Sequence, residues 1–280
     1  MKLKTKLENL LHKYDFSPQK RLSQNFLIDP KIISRIVEEI QLKEDDLVLE
    51  IGAGTGILTS KLVEKARKVW AIEIDEKLCQ MLKDEVSEKK NLEVICADIT
   101  KCKIENYIQA DQKIKVVGNL PYHIASFLIL NLVKKEWMEV GIFTIQREVA
   151  EKLLCPPGDK KRGALTVLIS YYANIQRVID VPPHAFYPSP KVSSSVVRIT
   201  KKKERPAKDE ELFTATVKAG FSEKRKILLN SLSRGLGIPR EFVREILAKS
   251  GVSEKKRAEA LTVEDFVKIS NLLWEKKIAR

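Results

Sequence analysis

The stretch VLEIGAGTGILT, Val48 to Thr59, decides the fold. An apolar run, Leu47-Val48-Leu49, leads through Glu50-Ile51 into glycines at 52, 54 and 56, and an apolar helical pattern follows. This is the order of a buried strand, a tight turn and a helix start in an α/β sheet. Glycine suits the turn because the missing Cβ permits a sharp bend and lets a ligand approach the backbone closely.

Working outward, strands are expected at 68–74, 92–96, 115–117 and 140–146, and helices at about 57–65, 76–87 and 124–133. Strands alternating with helices argue for a parallel sheet with helices on both faces. Polar groups stand at the ends of four successive strands: the glycine turn, Glu73, Asp98 and Asn119. That edge of an open α/β sheet is where ligands bind. Upstream, Asp29 and Pro30 read as the start of an amphipathic helix carrying Ile32, Ile33, Ile36, Val37 and Ile40. Gln24, Asn25, Phe26 and Leu27 read either as a lid, with apolar groups to cover a ligand and amides to bond it, or as a simple packed arm. The first residues can form an amphipathic helix on Leu3, Leu7, Leu10 and Leu11.

Downstream, the segment 164–172 is read as helix, with strand as the alternative. Proline-set turns follow at 181–183 and 186–191, then a strand at 192–200. The polar, basic stretch 201–208 is the best boundary. Helices near 209–219, 224–233, 240–249 and 263–275 then form a small all-α domain. The expected organisation is a basic arm at 1–30, an α/β domain at 31–203 and a helical domain at 204–280.

The 280 residues are 44% hydrophobic, enough for a large domain plus a small one. No stretch is long and apolar enough for a membrane span, and no secretory signal is read at the N-terminus. The cysteines at 79, 96, 102 and 155 form no C-x-x-C pair; buried free thiols in a reducing cytoplasm are expected, rather than disulfides or zinc. The net charge is +13, and residues 201–280 hold 20 Lys/Arg against 12 Asp/Glu. That balance favours a polyanionic partner, nucleic acid before a membrane surface.

Two cofactor classes use a glycine turn of this kind, dinucleotides and S-adenosylmethionine (AdoMet). The dinucleotide fingerprint G-x-G-x-x-G/A would place its last small residue at Ile57, where a branched side chain opposes close helix–strand packing. A ribose-binding carboxylate, Glu73, suits both classes. Asn119-Leu120-Pro121-Tyr122 separates them. An exocyclic amine on a base is a poor nucleophile because its lone pair is delocalised into the ring. An amide oxygen and a backbone carbonyl on a proline-stiffened turn can accept from both its N–H groups, and an adjacent aromatic ring can stack on the base.

On these residues the chain resembles the KsgA-type (RsmA) small-subunit rRNA adenine N6-dimethyltransferases. The matching segments are QNFL at 24–27, LEIGAGTGILT at 49–59, AIEID at 71–75, AD at 97–98, NLPY at 119–122 and QREVAEKL at 146–153. Further matches are VPPHAFYPSPKVSSSVVRI at 181–199, AGFSEKRKILLNSL at 219–232 and RAEALTVEDF at 257–266. The resemblance implies a class I (Rossmann-like) AdoMet-dependent methyltransferase sheet with a small C-terminal helical domain. It implies dimethylation of two adjacent adenosines in the loop of the 3′-terminal hairpin of 16S rRNA, during ribosome biogenesis. By position, Asn25 and Leu27 would contact AdoMet, Gly52 would let it approach, Glu73 would hold its ribose and Asp98 its adenine amine. Asn119 would touch the cofactor and orient the target amine with the Leu120 and Pro121 backbone, while Tyr122 and Phe186 would stack on the flipped adenine. No metal is expected, the partner is the small-subunit precursor, and a cytoplasmic monomer is implied. The chain departs from the family at Ala53, where proline is usual, and at Glu223-Lys224-Arg225-Lys226, where Arg-Arg-Lys is common.

Three rivals are distinguishable: an Erm-type 23S rRNA adenine methyltransferase, an assembly factor with secondary catalysis, and a dinucleotide oxidoreductase.

Overall fold

The computed structural model describes residues 3–19, 22, 24–86, 88–109, 111–122, 124–223 and 225–276. Its first elements are α1 (Leu3–Lys13), β1 (Phe26–Leu27), α2 (Pro30–Glu39), β2 (Leu47–Ile51), α3 (Thr59–Leu62), β3 (Lys68–Glu73), α4 (Glu76–Glu85) and β4 (Leu92–Cys96). Then come β5 (Ile114–Asn119), α5 (Ala125–Lys134), β6 (Met138–Gln146), α6 (Arg147–Leu153), α7 (Ala164–Tyr172), β7 (Ala173–Val181), β8 (Phe186–Tyr187) and β9 (Ser194–Lys201). The last helices are α8 (Glu210–Gly220), α9 (Leu228–Leu236), α10 (Arg240–Ser250) and α11 (Val263–Glu275).

A seven-stranded sheet runs in the order β4-β3-β2-β5-β6-β9-β7. The pairs from β4 through β6 are parallel, and β9 lies antiparallel to β6. Every residue of β2 is buried, as a central strand covered on both faces requires. The order turns back between β2 and β5, so their C-terminal ends flank the crevice of a doubly wound sheet. Helix α2 begins at Pro30 with the Asp29 side chain accepting from the Lys31 and Ile32 amides, and it buries Ile32, Ile33, Ile36 and Val37. Ile32, Ile36 and Ile40 pack with Val48, Val117, Ile142 and Val196 of the sheet. Helix α1 buries Leu7 and Leu11 against Phe16, Phe26, Leu78 and Met81.

The chain divides into two compact units. One comprises Met1–Ala150 with Ile175–Lys201, and the other Glu151–Asn174 with Lys202–Arg280. Residues 151–174 thus group with the C-terminal helices, where the sequence reading left them in the first domain. The reason lies in α7, an apolar helix: the Tyr171 ring lies 4.2 Å from that of Phe213, and Tyr172 Oη donates to Glu210 Oε2 at 3.0 Å. In the same unit a Cβ on Gly235 would stand 2.6 Å from Ala219 Cα, so α8 and α9 cross in close contact.

Three further expectations are corrected. The helix after the glycine turn is a single turn, Thr59–Leu62, because the turn itself runs on to Leu58. Strand β7 was not foreseen; its exposed and buried positions follow no clean alternation. Cys79 and Cys96 are joined as a disulfide, with Cα atoms 5.8 Å apart, leaving Cys102 and Cys155 as the free thiols. The first turn of α4 carries Cys79 beside the last residue of β4, a proximity that linear spacing does not reveal. Among the described residues, no helix is long and apolar enough to cross a membrane.

Candidate active site

Within the first unit, a cavity of about 310 Å³ opens at the C-terminal ends of β2, β3, β4 and β5. That is the lower end of the size range for small-molecule sites. Its floor is the glycine turn. The Gly52 and Ala53 amides both donate to Ile72 O, at 2.8 and 3.1 Å, which folds the turn back onto β3. Gly52 has φ +73°, and a Cβ there would lie 3.4 Å from Asn119 O. Gly54 has φ +57°, and a Cβ there would meet the Phe26 ring at 3.1 Å. Left-handed backbone and close packing on two sides explain the choice of glycine at both positions.

Glu73 ends β3 and is 6% exposed. Its Oε2 accepts from the Gly54 amide at 2.9 Å, and its Oε1 from the Ile74 and Asp75 amides at 2.9 and 3.1 Å. Burial raises its pKa, and these three donors oppose the rise. The carboxylate is therefore held rigidly at the cavity wall. Asp98 follows β4. The Thr100 hydroxyl and amide converge on its Oδ1, at 2.7 and 2.9 Å, and together hold its pKa below the usual value. Both bonds fall on Oδ1, and among the described residues Oδ2 accepts none.

The turn after β5 is clamped from three directions. Asn119 Nδ2 donates to Asn25 O at 2.8 Å. The Leu120 amide donates to Thr144 O at 3.0 Å. The Tyr122 hydroxyl shares a 2.9 Å hydrogen bond with Ser194 Oγ. Pro121 O accepts from the Ile124 amide at 3.1 Å, whereas Leu120 O has no donor among the described residues. Among the described residues, Asn119 Oδ1 and Leu120 O are thus the turn's open acceptors. Burial raises the Tyr122 pKa, so its phenol stays neutral.

The arm forms the roof. Asn25, Phe26 and Leu27 line the cavity. Gln24 Nε2 and Gln19 Nε2 each donate to Asp75 Oδ2 at 3.0 Å. Asp75 also caps α4 through its Oδ1. Strand β1 pairs antiparallel with β8, Phe26 opposite Tyr187 and Leu27 opposite Phe186. The lid and the packed arm were posed as alternatives, and these contacts join them in one segment. The basic pair Lys20-Arg21 and His123 lie outside the described residues.

Nine of the ten expected site residues border this one cavity. Phe186 does not. It is 2% exposed and packs in the core with Ile32, Ile36 and Val196, so its ring backs the arm instead of facing the cavity.

Glu50 carries a role that sequence reasoning missed. It is 2% exposed and borders the cavity, and among the described residues its Oε2 has no hydrogen-bond partner. Burial pushes its pKa up to about 8; the adjacent Thr59 hydroxyl opposes the rise and the nearby Glu73 adds to it. The available signal was an acid inside an otherwise apolar, fully buried strand. An orphaned buried acceptor marks a place for a donor or cation from a ligand. With the glycine floor and the carboxyl groups of Glu50, Glu73 and Asp98 around one small cavity, the residues fit a nucleoside-bearing ligand with a cationic end. Among the described residues, no group of three or more His, Cys, Asp or Glu is placed to hold a metal ion.

A family model described as ribosomal RNA adenine dimethylase matches residues 15–275. A protein named ribosomal RNA small subunit methyltransferase A, from Clostridium acetobutylicum, is 38% identical over 95% of this chain and 97% of its own. A dimethyladenosine transferase from Plasmodium falciparum superposes with a TM-score of 0.77 at 28% identity, over 90% of this chain and 97% of that one. The 23S rRNA methyltransferase ErmE superposes with a TM-score of 0.70 at 30% identity, over 89% of this chain and 99% of that one.

Proposed function

The chain belongs to the ribosomal RNA adenine dimethylase family and is an AdoMet-dependent rRNA adenine dimethyltransferase, and from that premise we propose how its residues act and on which RNA. The substrate is the pair of adjacent adenosines in the loop of the 3′-terminal hairpin of 16S rRNA. Each is dimethylated at N6 during small-subunit biogenesis. The observation that carries this reading is the clamped turn Asn119–Tyr122 at the lip of a cavity built for a nucleoside-bearing donor.

AdoMet supplies a methyl group already activated on a sulfonium, so the transfer needs neither a metal nor a nucleophilic side chain. Gly52 admits the donor, Glu73 holds its ribose hydroxyls, Asp98 accepts from its adenine amine, and Asn25 and Leu27 cover it. Asn119 Oδ1 and Leu120 O accept from the N6 hydrogens of the target. In the first transfer, drawing on both N–H groups pyramidalises the nitrogen and frees its lone pair for attack on the methyl. As the methyl–sulfur bond breaks, the amine's proton leaves to water. The one N–H of the monomethyl amine is what the turn holds for the second transfer. Pro121 stiffens the turn and Tyr122 stacks on the base. Catalysis is mainly positioning and exclusion of water. Taking the base out of its stack costs a few kcal/mol, less in a hairpin loop, and aromatic stacking returns about 1–3 kcal/mol.

RNA is held by cations. In the second unit the Leu228 amide donates to Lys256 O at 2.7 Å, which brings the loop before α9 beside the loop at 253–257. Arg225, Lys226, Lys255, Lys256 and Arg257 are exposed there. The neighbouring acids are already engaged, Glu223 by Arg234 at 2.7 Å and Glu254 by Arg244 at 3.0 Å. The enzyme is read as a cytoplasmic monomer acting on the small-subunit precursor.

The test is to map tritiated methyl from AdoMet onto small- and large-subunit RNA of an unmodified strain. Label in small-subunit RNA, lost with Asn119→Ala, is expected. Label in large-subunit RNA alone would replace this reading with the Erm-type one.

A further inference from the structure

Three serines stand in a row, Ser193 to Ser195, and the last two open β9. Successive side chains of a strand point to opposite faces, and the two buried serines divide accordingly. Ser195 Oγ donates to Asp180 Oδ1 at 2.6 Å. Ser194, fully buried, shares its 2.9 Å bond with the Tyr122 hydroxyl. Among the described residues this is the only side-chain partner recorded for Ser194, and it spans from one sheet strand to the turn after another.

We propose that Ser194 is a positioning residue for methyl transfer, acting through the Tyr122 hydroxyl to fix the ring against which the target adenine lies. This rests on the reading of Tyr122 as the stacking residue.

The geometry gives the reason. Tyr122 is the last residue of the clamped turn, and rotation about its Cα–Cβ bond would swing the ring sideways unless its far end is held. Asn119 and Leu120 are fixed near the backbone, by Asn25 O and Thr144 O. Ser194 holds the hydroxyl, the point farthest from the backbone. Its own position is rigid: it is 0% exposed and paired with Gln146 of β6, the strand that also supplies Thr144. One strand, β6, therefore aligns both ends of the turn, directly at Leu120 and through β9 at Tyr122. Ser194 does not border the cavity, so its effect on a bound base passes through the ring.

The loss expected on cutting the bond is roughly two- to tenfold in kcat, the factor corresponding to one hydrogen bond of ordinary net strength. AdoMet affinity and the KM for RNA should not move, because neither the donor pocket nor the cationic surface is touched.

The experiment is a double-mutant cycle on the full chain with small-subunit RNA, using Ser194→Ala, Tyr122→Phe and the double variant, with Tyr122→Ala alongside. Melting temperature and AdoMet Kd are recorded for each. Ser194→Ala and Tyr122→Phe should lower kcat equally, and the double variant should be no worse than either. Wild-type kcat in Ser194→Ala, or effects that multiply in the double variant, would overturn the proposal. So would a fall in kcat matched by weaker AdoMet binding, which would mean a general loosening of the sheet. Tyr122→Ala separates the premise: if it retains wild-type activity, the stacking role of Tyr122 fails. If it is inactive while Ser194→Ala is unaffected, only the role of Ser194 fails.

Discussion

Asn119 donates its side-chain N–H to the backbone carbonyl of Asn25 at 2.8 Å, and this bond settles which way the amide faces. The nitrogen is used by the arm, so the oxygen is the atom left for a substrate amine. Asn119→Ala removes the acceptor and the arm's anchor together. Methyl transfer should fall by on the order of 10²–10³, the size found for deleting a preorganised polar group at a reacting centre. RNA affinity should stay near wild type, since the cationic surface is intact. Single-turnover methylation with a filter-binding control checks both, and near-normal turnover would remove Asn119 from the mechanism.

Glu50 makes stability depend on pH with a defined sign. Its pKa rises from 4.5 to about 8 on folding. Below pH 4.5 both states are protonated and the group contributes nothing. Between 4.5 and about 8 the unfolded chain releases the proton while the folded one keeps it. Stability therefore falls as pH rises through that window, by on the order of a few kcal/mol. Glu73, also raised by burial, adds in the same direction. Glu50→Gln should melt higher than the wild type at pH 8 in the absence of ligand, and the two should converge below pH 5. Parallel melting curves across the range would show that Glu50 is ionised in the folded protein.

Gly54 combines a left-handed φ of +57° with the Phe26 ring 3.1 Å from where a Cβ would sit. Gly54→Ala meets a backbone penalty of about 1–2 kcal/mol and pushes against the arm. Melting temperature should fall, and AdoMet should bind about tenfold more weakly by calorimetric titration. An alanine variant with unchanged donor affinity would show that the arm gives way without cost.

Binding of RNA should weaken steeply with salt, with a log–log slope near −0.7 to −0.9 per phosphate contact. Alanine at Arg225, Lys226, Lys256 or Arg257 should weaken binding evenly across RNA sequences. Each residue that meets a phosphate should flatten the slope by just under one. A slope unchanged by all four replacements would place the RNA on another surface.

Much of this site was legible because its parts are local. The glycine turn, Glu73, Asp98 and the NLPY turn each follow a strand whose apolar run is plain in the sequence, and the doubly wound sheet gathers strand ends at one edge. What escaped depends on partners distant in sequence. Nothing near Phe186 states that it pairs with Leu27. Ser194 looks like one of three equivalent serines until Tyr122 is found beside it. Glu50 reads as part of a motif, and only burial without a partner shows it to be chemically unusual. Residues 151–174 join the C-terminal helices through aromatic contacts that no composition change announces.

The short ladder between β1 and β8 also bears on when the site comes into being. Phe26 and Leu27 are made early in translation, and their partners Phe186 and Tyr187 much later. The cavity's floor and walls, by contrast, come from the run of the chain between β2 and β6. The roof therefore can close only after β8 has been made, through a long-range pairing that carries a cost in chain closure, whereas the floor and walls assemble from nearer neighbours.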